Sequence, residues 1–99
     1  MEIGTFDGSN AFLLSRLFPS ASVLTIDLSK NTKSFQNSYG RNNELELKNF
    51  LKKRNDNLKL SKNIYFKEIN SIKLFYEKDN FDLIWIDGAH GYPFVTFDI

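Results

Sequence analysis

The hydrophobic residues of this chain fall into two patterns, short continuous runs and longer stretches with helical spacing. The runs cover residues 22–28, 63–69 and 81–86, and their β-branched and aromatic content predicts strands. Residues 11–18 and 44–54 carry apolar side chains on one helical face, which predicts helices. Strands that alternate with helices are typical of an α/β fold, so we expect an open parallel sheet of about four strands with flanking helices.

The last run is the most informative, because it is almost wholly apolar and ends in a carboxylate. A strand at 81–86 that is buried on both faces places Trp85 in the core. Asp87 follows at the carboxyl end of this strand, where open α/β sheets bind their ligands. His90 comes three residues later and is the single histidine of the chain. A carboxylate and an imidazole in one short loop can hold a divalent cation and accept a proton.

The composition describes a small globular domain with almost balanced charge. The chain has 99 residues, of which 41% are hydrophobic and 15% aromatic, and its formal net charge is +1. This length allows a single domain over residues 1–99 with one modest core. The absence of cysteine excludes disulfides and thiolate metal sites.

Neither a membrane nor a nucleic acid is an expected partner. No apolar stretch approaches the roughly 20 residues that cross a bilayer, and no basic leader precedes an apolar segment at the amino terminus, so we expect a cytoplasmic protein. The basic residues 52–54 form a short cluster without a base-stacking aromatic pattern beside it. We interpret this cluster as the solvated end of the predicted helix rather than a nucleic-acid interface.

The amino-terminal third has the order strand, glycine turn, helix, strand and acidic residue. A strand stub at residues 1–4 leads into Gly4 and Gly8, and the second strand delivers Asp27. In nucleotide-binding βαβ units, such glycines let backbone amides approach a ligand at the helix amino terminus. Asp27 lies nineteen residues after Gly8, close to the roughly 20-residue offset at which an acidic residue bonds ribose hydroxyls.

The polar stretches carry weaker signals. Ser9 or Asn10 is the predicted N-cap of the first helix. Residues 29–43 are rich in turn formers, which predicts a loop that covers the ligand site. Asn70 and Ser71 follow the third strand, where capping of a short helix explains them as well as the ligand contact that a family resemblance implies.

Two motifs together resemble those of a known family. Glu2 precedes the glycine pair in the pattern Glu-x-Gly-x-x-x-Gly, and Asp87 opens the pattern Asp-Gly-x-His-x-Tyr. The chain resembles the class I S-adenosylmethionine-dependent methyltransferases, in the branch that includes metal-dependent O-methyltransferases of sugars and natural products. This resemblance implies a Rossmann-like sheet of seven strands, of which the chain holds the first four.

The resemblance also implies an activity and a role for individual residues. The implied reaction transfers the methyl group of S-adenosylmethionine to a hydroxyl oxygen of a small molecule or sugar. The cofactor's amino-acid end lies at the glycine turn, its ribose at the acid after the second strand, and its adenine near the polar residues after the third. The implied set is Glu2, Gly4, Gly8, Asp27, Asn70 and Ser71 for the cofactor, Asp87 for Mg²⁺, and His90 as the general base.

The resemblance covers an incomplete domain. The resembled enzymes have further metal ligands after a fifth strand, and this chain stops before such a strand. We therefore expect a partial domain with little activity of its own and with an exposed sheet edge that favours homo-oligomers.

Two other functional classes fit parts of the pattern. A nicotinamide-dependent oxidoreductase shares the βαβ unit and Asp27, but it gives no reason for Asp87 and His90. A non-catalytic binding or assembly module pairs through the open sheet edge. Preference for NAD favours the oxidoreductase, whereas concentration-dependent dimerisation without cofactor affinity favours the assembly module.

Overall fold

The computed structural model describes residues 1–36, 43–70 and 80–86. Within these ranges the chain forms four strands and three helices. The strands are β1 (Glu2–Ile3), β2 (Val23–Asp27), β3 (Ile64–Glu68) and β4 (Trp85–Ile86), and the helices are α1 (Ser9–Leu17), α2 (Lys33–Gln36) and α3 (Glu44–Leu58).

The strands form one sheet in the order β3-β2-β1-β4, and every neighbouring pair is parallel. In β1, Glu2 lies opposite Thr25 of β2 on one side and opposite Trp85 of β4 on the other. β2 and β3 pair along their whole length and end with Asp27 opposite Glu68. The predicted fold class is confirmed, because the structure is an open parallel α/β sheet of the Rossmann-like kind with flanking helices.

Helices α1 and α3 contact each other and lie on the same face of the sheet. Asn10 of α1 bonds Glu2, and Arg54 of α3 lies over Phe66, while Glu2, Thr25 and Phe66 project from one face because they are register partners. The core lies on both faces of the central strands. Its buried apolar residues are Ile3, Ala11, Leu14, Val23, Ile26 and Phe35.

The end of α1 is fixed by one side chain from the start of β3. The helix ends at Leu17, as Pro19 predicts. Asn63 donates from Nδ2 to three carbonyl oxygens, those of Ser15 at 3.3 Å, Phe18 at 3.3 Å and Ala21 at 2.9 Å. The Ser15 carbonyl is one that the helix end leaves without an intrahelical partner, and the three bonds attach the end of α1 and the turn after it to β3.

The prediction of a loop over residues 29–43 is wrong for its centre, which forms the short helix α2. The cause is Phe35, whose side chain is 1% exposed and whose ring centroid lies 5.9 Å from that of Phe50 in α3. Thr32 accepts the Phe35 amide at its Oγ1 across 3.3 Å and so begins the helix. A single apolar residue in a polar stretch has no periodicity, and the pattern therefore did not predict this helix.

Helix α3 is longer than the predicted segment 44–54, because it continues to Leu58. Asn43 caps its start and accepts the amides of Leu45 and Glu46. Residues 52–54 therefore lie inside the helix, and the interpretation of all three as a solvated helix end is wrong for Arg54, which is buried.

β4 is shorter and less buried than predicted, because only Trp85–Ile86 of residues 81–86 form a strand. Trp85 is 46% exposed, and Leu83, Ile84 and Ile86 are exposed as well. β4 pairs with β1 and has no strand on its other side among the described residues. None of the helices in residues 1–36, 43–70 and 80–86 is long and apolar enough to span a bilayer.

Candidate functional site

The glycine turn, residues 4–8, connects the carboxyl end of β1 to α1. Three of its residues have a positive φ: Gly4 at 97°, Phe6 at 50° and Gly8 at 81°. The Gly8 amide donates to the carbonyl of Thr5 across 2.9 Å and closes a tight turn. A left-handed φ is open to glycine, but it strains a phenylalanine, so contacts around Phe6 must hold it in place.

The contacts around Phe6 come from the carboxyl end of β2 and from α3. The Phe6 amide donates to Oδ2 of Asp27 across 3.1 Å, and the Phe6 ring centroid lies 5.4 Å from that of Phe50. Oδ1 of Asp27 accepts the amide of Leu28 at 2.8 Å, and the Asp27 carbonyl accepts the amide of Ile69 at 2.8 Å. The structure therefore brings Asp27 and the glycine turn together at the carboxyl edge of the sheet.

Glu2, a predicted cofactor residue, points into the protein. Its side chain is 1% exposed, and its carboxylate accepts 2.6 Å hydrogen bonds from Thr25 Oγ1 and from Asn10 Nδ2. Because the Thr25 hydroxyl donates to Glu2, the Thr5 hydroxyl donates in the 2.7 Å contact between the two threonines. Glu2 therefore joins β1, β2 and α1 beneath the glycine turn, and this arrangement favours a supporting role over direct contact with a ligand.

The helix start differs from the prediction, because the cap comes from Asp7. Gly8 is the N-cap and makes no side-chain bond, so the predicted caps Ser9 and Asn10 both lie within α1. Oδ1 of Asp7 accepts the Ser9 amide at 3.0 Å and the Ser9 hydroxyl at 2.7 Å. An acidic side chain in this place satisfies a free amide and complements the positive end of the helix dipole.

Asp7 also connects the glycine turn to α3. Its Oδ2 lies 3.3 Å from Lys53 Nζ, and its carbonyl accepts a 2.8 Å bond from Asn57 Nδ2. Partial burial raises the pKa of Asp7, but the hydrogen bonds from Ser9 and the contact with Lys53 lower it by more. The pKa of Asp7 therefore lies below its usual value, and the carboxylate is ionised at neutral pH.

Gly8 is required for packing as well as for its φ. A Cβ on Gly8 would lie 3.2 Å from the Arg54 carbonyl oxygen, 3.2 Å from Asn57 Cβ and 3.3 Å from Leu58 Cδ2. These distances are too short for an ordinary side chain. The sequence pattern predicts that Gly8 lets a ligand approach the backbone. Its missing side chain also permits the contact between α1 and α3.

The amides of the turn are largely used inside the protein. Gly4 donates to the Ile26 carbonyl at 2.9 Å, Phe6 to Asp27, Gly8 to Thr5 and Ser9 to Asp7. A phosphate-binding loop needs several amides that point at the anion. The glycine turn is thus a connection whose amides are bonded inside the protein, and its charged neighbours are the carboxylates of Asp7 and Asp27 and the ammonium of Lys53.

Arg54 is the buried cation of this region, with a side chain that is 2% exposed. Its guanidinium carbon lies 4.5 Å from the ring centroid of Phe66 and 5.7 Å from that of Phe35. Burial lowers the pKa of Arg54, and the charges of Glu68 and Asp27 act in the opposite direction. The guanidinium therefore lies between aromatic rings on the face of the sheet that ends in these two carboxylates.

The remaining predicted site residues are distributed differently. Asn70 follows β3 and is exposed at the same edge of the sheet. Ser71, Asp87 and His90 lie outside the described residues. In residues 1–36, 43–70 and 80–86, no group of three or more His, Asp or Glu side chains is arranged to hold a metal ion.

An open groove of about 560 Å³ lies at the opposite, amino edge of the sheet. It is lined by Ser15, Arg16, Pro19, Ser61, Lys62 and Asn63. The side-chain amide of Asn63 already donates to carbonyl oxygens at and after the end of α1. The groove contains none of the predicted site residues.

Sequence reasoning missed Asp7 and Arg54, although each leaves a signal. An aspartate just before the first helical residues is a common partner of helix amides. Arg54 follows Leu47 and Phe50 at helical spacing, which places it on the apolar face of α3.

Comparison of the chain with protein-family models, with curated proteins and with solved structures finds no match in any of the three.

Proposed function

We propose that this chain binds S-adenosylmethionine at the carboxyl edge of its sheet and serves methyl transfer to a hydroxyl oxygen. The observation that carries the proposal is the gathering of carboxylates there, with Asp7 at the start of α1 and Asp27 and Glu68 at the ends of β2 and β3. S-adenosylmethionine carries a sulfonium, an ammonium and a carboxylate group, so it is a net cation, and it has no phosphate. The three carboxylates outnumber the two cations that act on them, Lys53 and Arg54, and this balance favours a cationic ligand.

The same edge disfavours a dinucleotide. NAD places its pyrophosphate at the amino terminus of the helix after the glycine turn, where free amides and the helix dipole attract anions. Here Asp7 already accepts the Ser9 amide, and its lowered pKa keeps it negative. A pyrophosphate would have to approach this charge. We therefore favour S-adenosylmethionine over NAD, and the nicotinamide-dependent oxidoreductase stays the alternative.

The arrangement of Asp27 supports a ribose-binding role. Each carboxylate oxygen accepts one backbone amide, from Phe6 and from Leu28, which fixes the orientation of the group. An ionised carboxylate has about four acceptor positions, so two such bonds leave acceptors for a ribose diol. The half-buried position of Asp27 at the end of β2 leaves part of the group accessible.

The chemistry beyond the cofactor rests on the sequence resemblance. When bound, S-adenosylmethionine would supply an electrophilic methyl group: the acceptor oxygen would bond to the methyl carbon, the electron pair of the carbon–sulfur bond would pass to sulfur, and the hydroxyl proton would go to a base. We propose His90 as the base that takes this proton and Asp87 as a ligand of Mg²⁺, with a small-molecule or sugar hydroxyl as the acceptor. We also propose a cytoplasmic location, in line with a sequence that lacks cysteine.

Calorimetric titration of the chain with S-adenosylmethionine and with NAD tests the proposal. We expect binding of S-adenosylmethionine that D27A weakens by about tenfold, or 1.4 kcal/mol, and no comparable NAD affinity. D56A is the matched control, because Asp56 is an exposed acid of α3 that pairs with Lys52. A folded chain that binds neither cofactor, or that prefers NAD, contradicts the proposal.

A second candidate function is assembly through β4, favoured by the exposure of Trp85 and its neighbours on a strand that ends the described sheet. Sedimentation velocity over a concentration series tests it. Self-association that W85K abolishes supports an assembly module, and a monomer at every concentration contradicts it.

A further inference from the structure

Burial of the Arg54 guanidinium costs free energy that burial of an apolar side chain would not cost. Its side chain is almost wholly buried, and its Nε and Nη1 have no hydrogen-bond partner within the described part of the chain. Stacking on Phe66 and Phe35 recovers only part of the cost of taking a cation out of water. Exchange of a buried charge for a well-packed apolar side chain is often neutral or stabilising, so the charge of Arg54 needs a reason.

The reason lies at the ends of β2 and β3. Asp27 and Glu68 are register partners, and side chains that are paired in this way project from the same face of the sheet. Glu68 is two residues after Phe66, so that face is the one on which Arg54 lies. Two carboxylates directly opposite each other on neighbouring strands repel. Arg54 provides a positive charge on the same face.

Both carboxylates have orienting bonds that such repulsion would strain. Asp27 accepts the Phe6 amide at 3.1 Å, and Glu68 accepts the amide of Lys30 at 3.1 Å. These bonds hold the glycine turn and the segment after β2 at the carboxyl edge.

We propose that Arg54 is a positioning residue whose charge offsets the repulsion between Asp27 and Glu68 and so keeps Asp27 oriented towards the glycine turn. The consequence for a ribose rests on the proposed function, whereas the charge coupling and the orientation of Asp27 do not.

A double-mutant cycle of chemical unfolding tests the coupling, with the wild-type chain, R54M, E68Q and R54M/E68Q. We expect R54M to raise the unfolding equilibrium constant at least about fivefold more in the wild-type background than in the E68Q background. E46Q is the matched control, because Glu46 lies in the first turn of the same helix. Its effect should add to that of R54M. Additive effects of R54M and E68Q on the free energy of unfolding would overturn the proposal and would mean that Arg54 contributes only by packing.

The amide signal of Phe6 in ¹H–¹⁵N spectra reports the orientation of Asp27 without any ligand. R54M should weaken the bond between Phe6 and Asp27, seen as faster hydrogen exchange and an upfield shift, and E68Q in the R54M chain should reverse both changes. Unchanged exchange in R54M, or no reversal, would overturn the positioning role. Failure of the wild-type chain to bind S-adenosylmethionine would contradict only the proposed function, because neither readout uses the cofactor.

Discussion

The backbone amide of Phe6 donates to the carboxylate of Asp27 across 3.1 Å, and this bond connects the glycine turn to the end of β2. It spans 21 positions of sequence and joins two parts of the chain that the motif pattern treats as separate ligand contacts. Asp27 is therefore a structural acceptor as well as a candidate ribose contact, and variants at this position need a stability measurement beside any binding assay.

We expect D27A to destabilise the chain by about 2 kcal/mol, because hydrogen bonds to a charged group contribute about 1.5–3 kcal/mol. D27N keeps one acceptor oxygen and should cost less. Urea unfolding followed by circular dichroism measures both variants. Equal stability of D27A and the wild-type chain would show that the bonds from Phe6 and Leu28 do not hold the turn.

The buried bonds around Thr25 give a second prediction. T25V removes the hydroxyl that donates to Oε1 of Glu2 and the acceptor of the Thr5 hydroxyl, while the bond from Asn10 to Oε2 of Glu2 remains, so we expect a loss of about 2–4 kcal/mol. T25S retains the hydroxyl and should lose less than half of that. Thermal unfolding measures the stability of T25V and T25S. Equal losses of stability in the two variants would mean that the methyl group of Thr25 contributes more than its hydroxyl.

A third prediction concerns the contact between α1 and α3. G8A imposes a left-handed φ on alanine and places its Cβ 3.2 Å from the Arg54 carbonyl oxygen, so we expect a loss of about 1–3 kcal/mol. S20A, in the exposed turn after α1, should change stability by less than about 0.5 kcal/mol. A neutral G8A would contradict the close approach of the two helices.

Asp7 gives a prediction about pH. Its pKa is lower in the folded chain than in the unfolded one, so its contribution to stability is present above the unfolded pKa and is lost as pH falls through the folded pKa. D7N should therefore be less stable than the wild-type chain at neutral pH, and the difference should shrink in acid. Unfolding free energies across an acid-to-neutral series measure this.

D56N is the control for Asp7, because Asp56 forms an exposed ion pair with Lys52 and such pairs contribute little. A difference between D7N and the wild-type chain that stays constant with pH would assign the effect to the cap geometry rather than to the charge.

The sequence predicted the elements whose apolar residues repeat with a clear helical period or whose residues are rich in β-branched side chains. β2 follows from Val23, Thr25 and Ile26, and α1 follows from the apolar face that ends before Pro19. Parallel strands were expected because each strand is followed by a helix, and the observed sheet agrees. Asp27 also lies beside the glycine turn, as the spacing predicts.

What the sequence did not predict depends on register and on tertiary contacts. Glu2 points into the protein because its opposite residue in β2 is Thr25, and a two-residue strand carries no signal for that register. Phe35 forms α2 only because α3 provides Phe50 to pack against. Trp85 is apolar but 46% exposed, because the burial of a strand side chain depends on what packs against that face of the sheet, and no local pattern contains this information.

The most direct test of the central claim, that the carboxyl edge binds S-adenosylmethionine, is a ¹H–¹⁵N titration of the labelled chain with this cofactor. We expect the amides of Phe6 and Leu28, which donate to Asp27, to shift and saturate, while that of Asn63 at the opposite edge stays unchanged. Absence of shifts, or shifts confined to the edge around Asn63, would contradict the claim.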